Sequence, residues 1–249
     1  MWLSSYWGTR DLAYGFQLYL DAFKVKHTTV GQSGSKVVDH MLFALHDISC
    51  PNTFFANTRN IETFIDTLED TCTYPLIIKD IKGYRGKNSF LAQNREELAQ
   101  IVGHLNPEIK VLYQEYIPNE FDWGVLISNG IVVATEKSYP AEGEFRNNAC
   151  NGAQELFVDV DTCPKDVRNL AVRAAKTLQL EWCRADIVVN KNTGVAKLLE
   201  VNRYPGITKG TDEVKAVINF INDRVKHATV ADSYHRNSAP NVNNQEHYS

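Results

Sequence analysis

Three oxygen-bearing side chains interrupt two otherwise apolar strands late in the chain, and they constrain the fold more than any other feature. Residues 185–189 and 195–201 read as strands joined by the turn Asn190-Lys191-Asn192-Thr193-Gly194. Glu200 and Asn202 stand two apart and so face the same way. Asp186 lies on the preceding strand of the same hairpin, among Ile187, Val188, Val189, Leu198 and Leu199. A sheet face carrying two carboxylates and one amide is therefore predicted. Two readings are open. One is an oxygen-only site for Mg²⁺, which takes few protein ligands and shares the rest with phosphate and water. The other is a solvent-facing polar strip on a half-buried sheet.

The rest of the chain alternates helices with hairpins, which predicts an α+β fold of antiparallel sheets covered by helices. Helices are expected over residues 10–26, from Ser35 past Leu45, near 61–68, over 95–104, from Pro164 or Asp166 to Leu178, and over 212–227. The first stripe is Leu12, Ala13, Phe16, Leu20 and Phe23, and the second is Val37, Val38, Met41, Leu42 and Leu45. Strands are expected at 74–79, 89–92 and 111–117. Asn129-Gly130 between 123–127 and 131–134 is the preferred pair for a type I′ hairpin turn. Residues 231–249 are polar and read as a disordered tail.

Three further features suit anionic ligands. Lys79 leaves an apolar strand just before Gly83-Tyr84-Arg85-Gly86. Loop N–H groups and a lysine can grip phosphate, although a glycine turn between strands is the bland alternative. Gln114-Glu115-Tyr116-Ile117 ends a strand whose backbone can meet an adenine edge, or it is an edge strand with an aromatic. Glu142-Gly143-Glu144-Phe145-Arg146-Asn147-Asn148 forms a polar loop in which Arg146 can pair with phosphate or carboxylate, or with a carboxylate of its own chain.

Composition removes other classes. With 26 basic against 30 acidic residues and a net charge of −4, the chain has no strongly basic surface for nucleic acid or acidic lipid. Five scattered cysteines without a C-x-x-C spacing read as reduced thiols, and no apolar run reaches the length of a membrane span. The N-terminus carries no signal-peptide pattern, so a cytoplasmic protein is expected. No G-x-S-x-G, H-E-x-x-H or G-x-G-x-x-G pattern points to a hydrolase triad, a zinc protease or a dinucleotide fold.

Taken in order, these stretches resemble the ATP-grasp superfamily, most closely the RimK-like carboxylate–amine ligases. The resemblance runs from near Lys36 to about Gly206, and Glu200-Val201-Asn202-Arg203-Tyr204-Pro205-Gly206 matches the family's E-V-N-x-x-P-G signature. It implies two lobes, each with a mainly antiparallel sheet and helices, with ATP between them. Residues 35–115 would hold the small lobe and its preceding helices, and 116–230 the large lobe. Residues 1–34 would be the remnant of a truncated pre-ATP-grasp domain, and 231–249 the tail.

The resemblance also implies roles. Lys36 and Lys79 would contact ATP phosphates under a flap that includes Gly83 and Gly86. Gln114, Glu115, Tyr116 and Ile117 would line the adenine, largely by backbone, with Asp122 near the nucleotide. Asp186, Glu200 and Asn202 would hold Mg²⁺, or Mn²⁺ in its place. Lys137 and Arg146 would be the catalytic cations, and Asn148 would face phosphate or substrate. The implied activity is ADP-forming ligation of a small-molecule or peptide carboxylate to an amine through an acyl phosphate. A catalytically weak nucleotide-binding module, acting with a partner chain or as a homo-oligomer, is the alternative. Gly124 stands where relatives often carry arginine, Lys137-Ser138 where they carry a basic pair, and Asn88 where many have glycine.

Overall fold

The computed structural model describes residues 3, 9–30, 35–81, 89–146 and 152–235. Helix α1 (Arg10–Ala22) is followed by α2 (Lys36–Leu45), β1 (Thr53–Asn57), a 3₁₀ turn (Thr58–Phe64), α3 (Ile65–Thr71), β2 (Leu76–Asp80), β3 (Ser89–Ala92), α4 (Arg95–His104) and β4 (Lys110–Glu115). Then come β5 (Asp122–Ser128), β6 (Ile131–Tyr139), β7 (Gln154–Val158), α5 (Lys165–Thr177), β8 (Trp182–Val189), β9 (Ala196–Asn202) and α6 (Asp212–His235). The strands form a four-stranded sheet in the order β1-β4-β2-β3 and a five-stranded sheet in the order β7-β6-β5-β8-β9. Each pairing is antiparallel. Among the described residues, no helix is long and apolar enough to cross a membrane.

Local chemistry explains the boundaries. Asn94 caps α4 by accepting from the Glu97 N–H at 3.0 Å, while the Glu97 carboxylate accepts from the Gln93 N–H at 2.9 Å. The first contact satisfies a donor that the opening helical turn leaves free, and the second ties the residue before the cap to that turn. At the β5–β6 turn Asn129 and Gly130 both adopt positive φ, 50° and 77°, as a type I′ turn demands. Helix α5 buries Val167, Leu170, Ala171, Ala174 and Ala175 against Trp123, Val125, Ile127, Ala185, Ile187 and Leu198, the inner face of the larger sheet. The smaller sheet has its own core, built on Leu68, Leu76, Ile78, Leu98 and Tyr113.

Several expectations change. Helix α1 ends at Ala22 and buries Ala13, Gln17 and Leu20, leaving Leu12, Phe16 and Phe23 exposed. The predicted helix near 61–68 is a 3₁₀ segment running into α3. Strands β1 and β7 complete the edges of the two sheets without having been foreseen. Helix α6 continues to His235, eight residues beyond the expected end and into the stretch read as a tail. Residues 236–249, the linker 31–34, the flap glycines Gly83 and Gly86, and Asn148 lie outside the described residues.

Helix α2 also changes allegiance. Phe43 and Ile48 belong to the core of the larger sheet, although the sequence groups α2 with the smaller one. The segment after α2 is stitched to β9. The Leu198 N–H donates to the Ser49 carbonyl at 2.8 Å, and the Ser49 hydroxyl donates to the Ala196 carbonyl at 2.9 Å. The chain then crosses to the smaller sheet and returns beside itself, where the Glu115 N–H donates to the Asn52 carbonyl at 2.9 Å.

Candidate functional site

The larger sheet places its polar residues in one row. In cross-strand register, Glu136 of β6 pairs with Gly124 of β5, Gly124 with Asp186 of β8, and Asp186 with Glu200 of β9. Alternation keeps this row on one face, opposite the face buried under α5. A register shift just after Asp186 seats Glu200 directly across from it, with Leu198 facing Ile187. Asn202 closes the group: its Nδ2 donates to Asp186 Oδ2 at 2.8 Å and lies 3.5 Å from Glu200 Oε1. The polar-strip reading therefore gives way to a convergent cluster.

Two lysines approach the cluster from different parts of the chain. Lys36, in the first turn of α2, places Nζ 3.7 Å from Glu200 Oε2. Lys79, on β2, donates to Gln114 Oε1 at 2.8 Å, and Gln114 Nε2 donates to the Thr53 hydroxyl at 3.0 Å. Gln114 is only 1% exposed, so this polar chain fixes the lysine from below. Asp122 accepts from Asn119 Nδ2 at 2.8 Å and adds its charge to the field at Lys79 and Asp186.

The electrostatics divide the two carboxylates. Burial and the adjacent Glu200 charge hold Asp186 well above the usual carboxylate range. Burial also opposes ionisation of Glu200, but the Lys36 and Lys79 ammonium groups outweigh it and hold Glu200 below its ordinary value. Glu200 keeps 38% of its side-chain surface accessible, so its carboxylate remains open to a ligand. Burial lowers Lys79, with Lys36 acting in the same sense and Glu200 against it. A bound cation relieves the carboxylate repulsion, and a bound polyanion relieves the lysine repulsion.

The donor set is oxygen-based: two carboxylates and a carboxamide. No group of three His, Cys, Asp or Glu able to hold a metal occurs among the described residues. An ion here would complete its shell from phosphate and water, which suits Mg²⁺ and not a closed structural site.

His40 was not singled out from the sequence. It lies one turn after Lys36 on α2. Its imidazole is pushed down to about 4 by burial, then by Lys79, with Glu200 opposing and Lys36 reinforcing. It is thus neutral at physiological pH and can act there as a hydrogen-bonding group. Only its spacing from Lys36 was visible beforehand.

Not every expected residue converges. Lys137 pairs in register with Trp123, on the α5 face of the sheet. Its Nζ sits 4.6 Å from the Phe121 ring centroid and 5.0 Å from that of Trp123. The position expected to supply a catalytic cation thus points away from the row, and strand alternation is the reason. Arg146 is clasped by Glu144, which accepts from Arg146 Nε at 2.9 Å and from Nη2 at 2.5 Å. That contact, followed by backbone donors, holds the Glu144 carboxyl down at about 2. Along the expected adenine strand, the Glu115 and Tyr116 N–H groups are committed to the Asn52 and Pro75 carbonyls, both at 2.9 Å. Those two donors are spent on the fold.

A family model for the RimK-like ATP-grasp domain matches residues 33–222. A probable alpha-L-glutamate ligase of Maridesulfovibrio salexigens is 34% identical over 190 residues, covering 74% of this chain and 60% of that protein. Probable alpha-L-glutamate ligase 2 of Pseudoalteromonas atlantica is 30% identical over 200 residues, covering 77% of this chain and 64% of that protein. The chain thus spans somewhat under two thirds of the length of these relatives. Among solved structures, the D-alanyl-alanine synthetase A of Vibrio cholerae superposes with a TM-score of 0.66 at 16% identity, covering 89% of this chain and 73% of that one. The D-alanine–D-alanine ligase of Bacillus anthracis complexed with ATP gives 0.60 at 16% identity, covering 85% and 76%.

Proposed function

The chain belongs to the RimK-like ATP-grasp family, and on that footing we propose that it is an ADP-forming ligase joining a carboxylate to an amine. The observation that carries this reading is the convergence of Asp186, Glu200 and Asn202 beneath Lys36 and Lys79. That arrangement presents paired carboxylates for a divalent cation and paired ammonium groups for phosphates. The glutamate-ligase names of the relatives support an amino acid or peptide as substrate.

In this reading ATP lies between the two sheets, with Lys36 held by the larger and Lys79 by the smaller. Asp186, Glu200 and Asn202 would hold Mg²⁺, which would supply positive charge to offset the charge developing on the transferred phosphoryl group. A substrate carboxylate attacks the γ-phosphorus, giving an acyl phosphate and ADP. An amine then attacks the acyl carbon, forming the amide, releasing phosphate and losing a proton. The protein positions these reactants and neutralises charge, and needs no nucleophile of its own. Lys79, fixed by Gln114, is preorganised for an anion and does not have to be recruited to it.

The test is ADP release in the presence of Mg²⁺ and a panel of carboxylates and amines, with Glu200→Gln as control. Turnover that depends on an acceptor and vanishes in the variant supports the ligase. Thermal stabilisation by Mg·ATP without ADP release from any pair supports the nucleotide-binding module instead. Neither response, in a folded sample, removes both.

A further inference from the structure

The row that holds the metal carboxylates continues past them, and its continuation is acidic. Glu136 lies across Gly124 from Asp186, and Phe157 of β7 pairs with Glu136 on its other side. With strands about 4.8 Å apart, Glu136 stands roughly 10 Å from Asp186 along the sheet. Gly124 makes this possible: a Cβ there would lie 2.5 Å from Glu136 Oε1. The absent side chain lets the Glu136 carboxylate lean over β5 toward the metal carboxylates.

Glu136 is 4% exposed, and its charge is only partly answered. Arg184 Nη1 donates to Glu136 Oε1 at 3.0 Å. The same guanidinium is shared with Glu213, whose other oxygen accepts from the Thr208 N–H at 2.9 Å, and with the Gly206 carbonyl at 3.0 Å. Among the described residues, Glu136 Oε2 is buried without a hydrogen-bond partner. Glu155, beside Glu136 on β7, adds a third carboxylate to the local field. One guanidinium among three carboxylates leaves the cluster negative. A buried carboxylate oxygen without a partner is unfavourable until a proton or a cation meets it. Burial, with Glu155 and Glu213 reinforcing and Arg184 opposing, pushes the Glu136 carboxyl up to about 7, as expected of a site that takes a proton when it lacks a cation.

There is room beside it. A cleft of about 540 Å³ opens between β6–β7 and the start of α6, lined by Ala134, Thr135, Phe157, Gly210, Thr211 and Asp212. Phe157 is the register partner of Glu136, and Asp212 directly precedes Glu213, so the cleft borders the acidic cluster, whose carboxylates do not themselves line it.

We propose that Glu136, with the cleft beside it, is the specificity subsite for an organic cation on the substrate, so that this ligase favours a basic amino acid or amine over an acidic one. The proposal rests on the ligase reading and names the substrate class for that same site. A chain with its ammonium at Glu136 and its reacting group above Asp186 spans the row in an extended form. An acidic side chain at the same place would meet Glu136, Glu155 and Glu213 with like charge.

The test uses the full chain with Mg²⁺ and a non-hydrolysable ATP analogue, and measures binding of L-lysine, Nε-acetyl-L-lysine and L-glutamate by calorimetry. L-lysine is expected to bind at least about 10-fold tighter than either other probe, as for a charge-assisted hydrogen bond in a buried site. Glu136→Gln is expected to abolish that preference. Equal binding of lysine and its acetylated form, tighter binding of glutamate, no binding of any probe, or a preference that survives in Glu136→Gln overturns the proposal. The lysine and acetyl-lysine comparison needs no variant, so it stands even if Glu136→Gln does not fold. ADP release by the wild type is scored separately. Release with amines regardless of charge sinks this inference alone, and failure to bind the nucleotide sinks the ligase reading.

Discussion

Arg203 grips Asp39 with both ends of its guanidinium, at 2.8 and 2.9 Å, across 164 residues of sequence. The pair is buried and joins the end of β9 to the middle of α2. It therefore sets where Lys36, one turn before Asp39, stands over Glu200. Asp39→Ala removes the carboxylate that grips this buried guanidinium, and is expected to cost about 3–5 kcal/mol in urea unfolding. Asp39→Leu combined with Arg203→Met should recover much of that loss, because matched apolar groups carry no buried charge. A single variant as stable as the wild type would show that the pair does not carry the junction.

Lys79 and Glu200 should separate binding from turnover. Lys79→Ala removes one charged donor from the phosphate side and leaves Gln114 Oε1 without its partner. The dissociation constant for Mg·ATP is expected to rise about 10- to 100-fold, the worth of one hydrogen bond to a charged group. Glu200→Gln is expected to lower Mg²⁺-dependent ADP release by at least about 10²-fold. Wild-type nucleotide affinity in Lys79→Ala would remove Lys79 from the phosphate site.

Glu136 should make stability fall as pH rises. Its carboxyl is raised from 4.5 to about 7, so the folded protein keeps a proton that the unfolded chain releases. That contribution is complete below about pH 4.5 and is lost as the pH passes through about 7, an integrated effect of roughly 3 kcal/mol. The groups facing it are Arg184, Glu155, Glu213 and, across Gly124, Asp186. Urea unfolding from pH 4.5 to 8 should show the wild type losing about that much relative to Glu136→Gln. Parallel pH profiles would contradict the burial argument.

Lys137 tests strand alternation against family resemblance. Lys137→Met exchanges a cation over Phe121 and Trp123 for an apolar chain of similar length. A loss of about 0.5–1 kcal/mol of stability is expected, with Mg·ATP affinity unchanged. A 10-fold weaker nucleotide affinity would place the ammonium on the other face of the sheet.

What was legible in the sequence follows from range of interaction. The Asn129-Gly130 turn and the shared face of Glu200 and Asn202 depend on local geometry, and the alternation of strand residues displays them. The stripe on α2 misled, because periodicity marks Met41 and Leu45, which are 58% and 77% exposed, while the buried face centres on Asp39 and Phe43. An aspartate reads as solvent-facing until its distant arginine is known. Lys137 misled in the opposite way. Its neighbour Trp123 already marks the buried face, but the expectation of a basic pair outweighed the period of two. Glu136 and Gly124 carry no local signal at all, since one is a gap and the other the group that fills it.

The chain crosses from the larger sheet at Ser49–Asn52 and returns at Glu115, so the smaller sheet hangs from a border only two threads wide. Lys36 stays with the larger body and Lys79 with the smaller, and the Lys36 charge lowers Lys79 as like charges do across a gap. At this point the Glu200 carboxylate faces both ammonium groups, and its effect on Lys79 exceeds that of Lys36. A nucleotide between the two bodies would add its own negative charge to that carboxylate's and so tie them together as well as react. High salt should weaken such a tie before it unfolds either body.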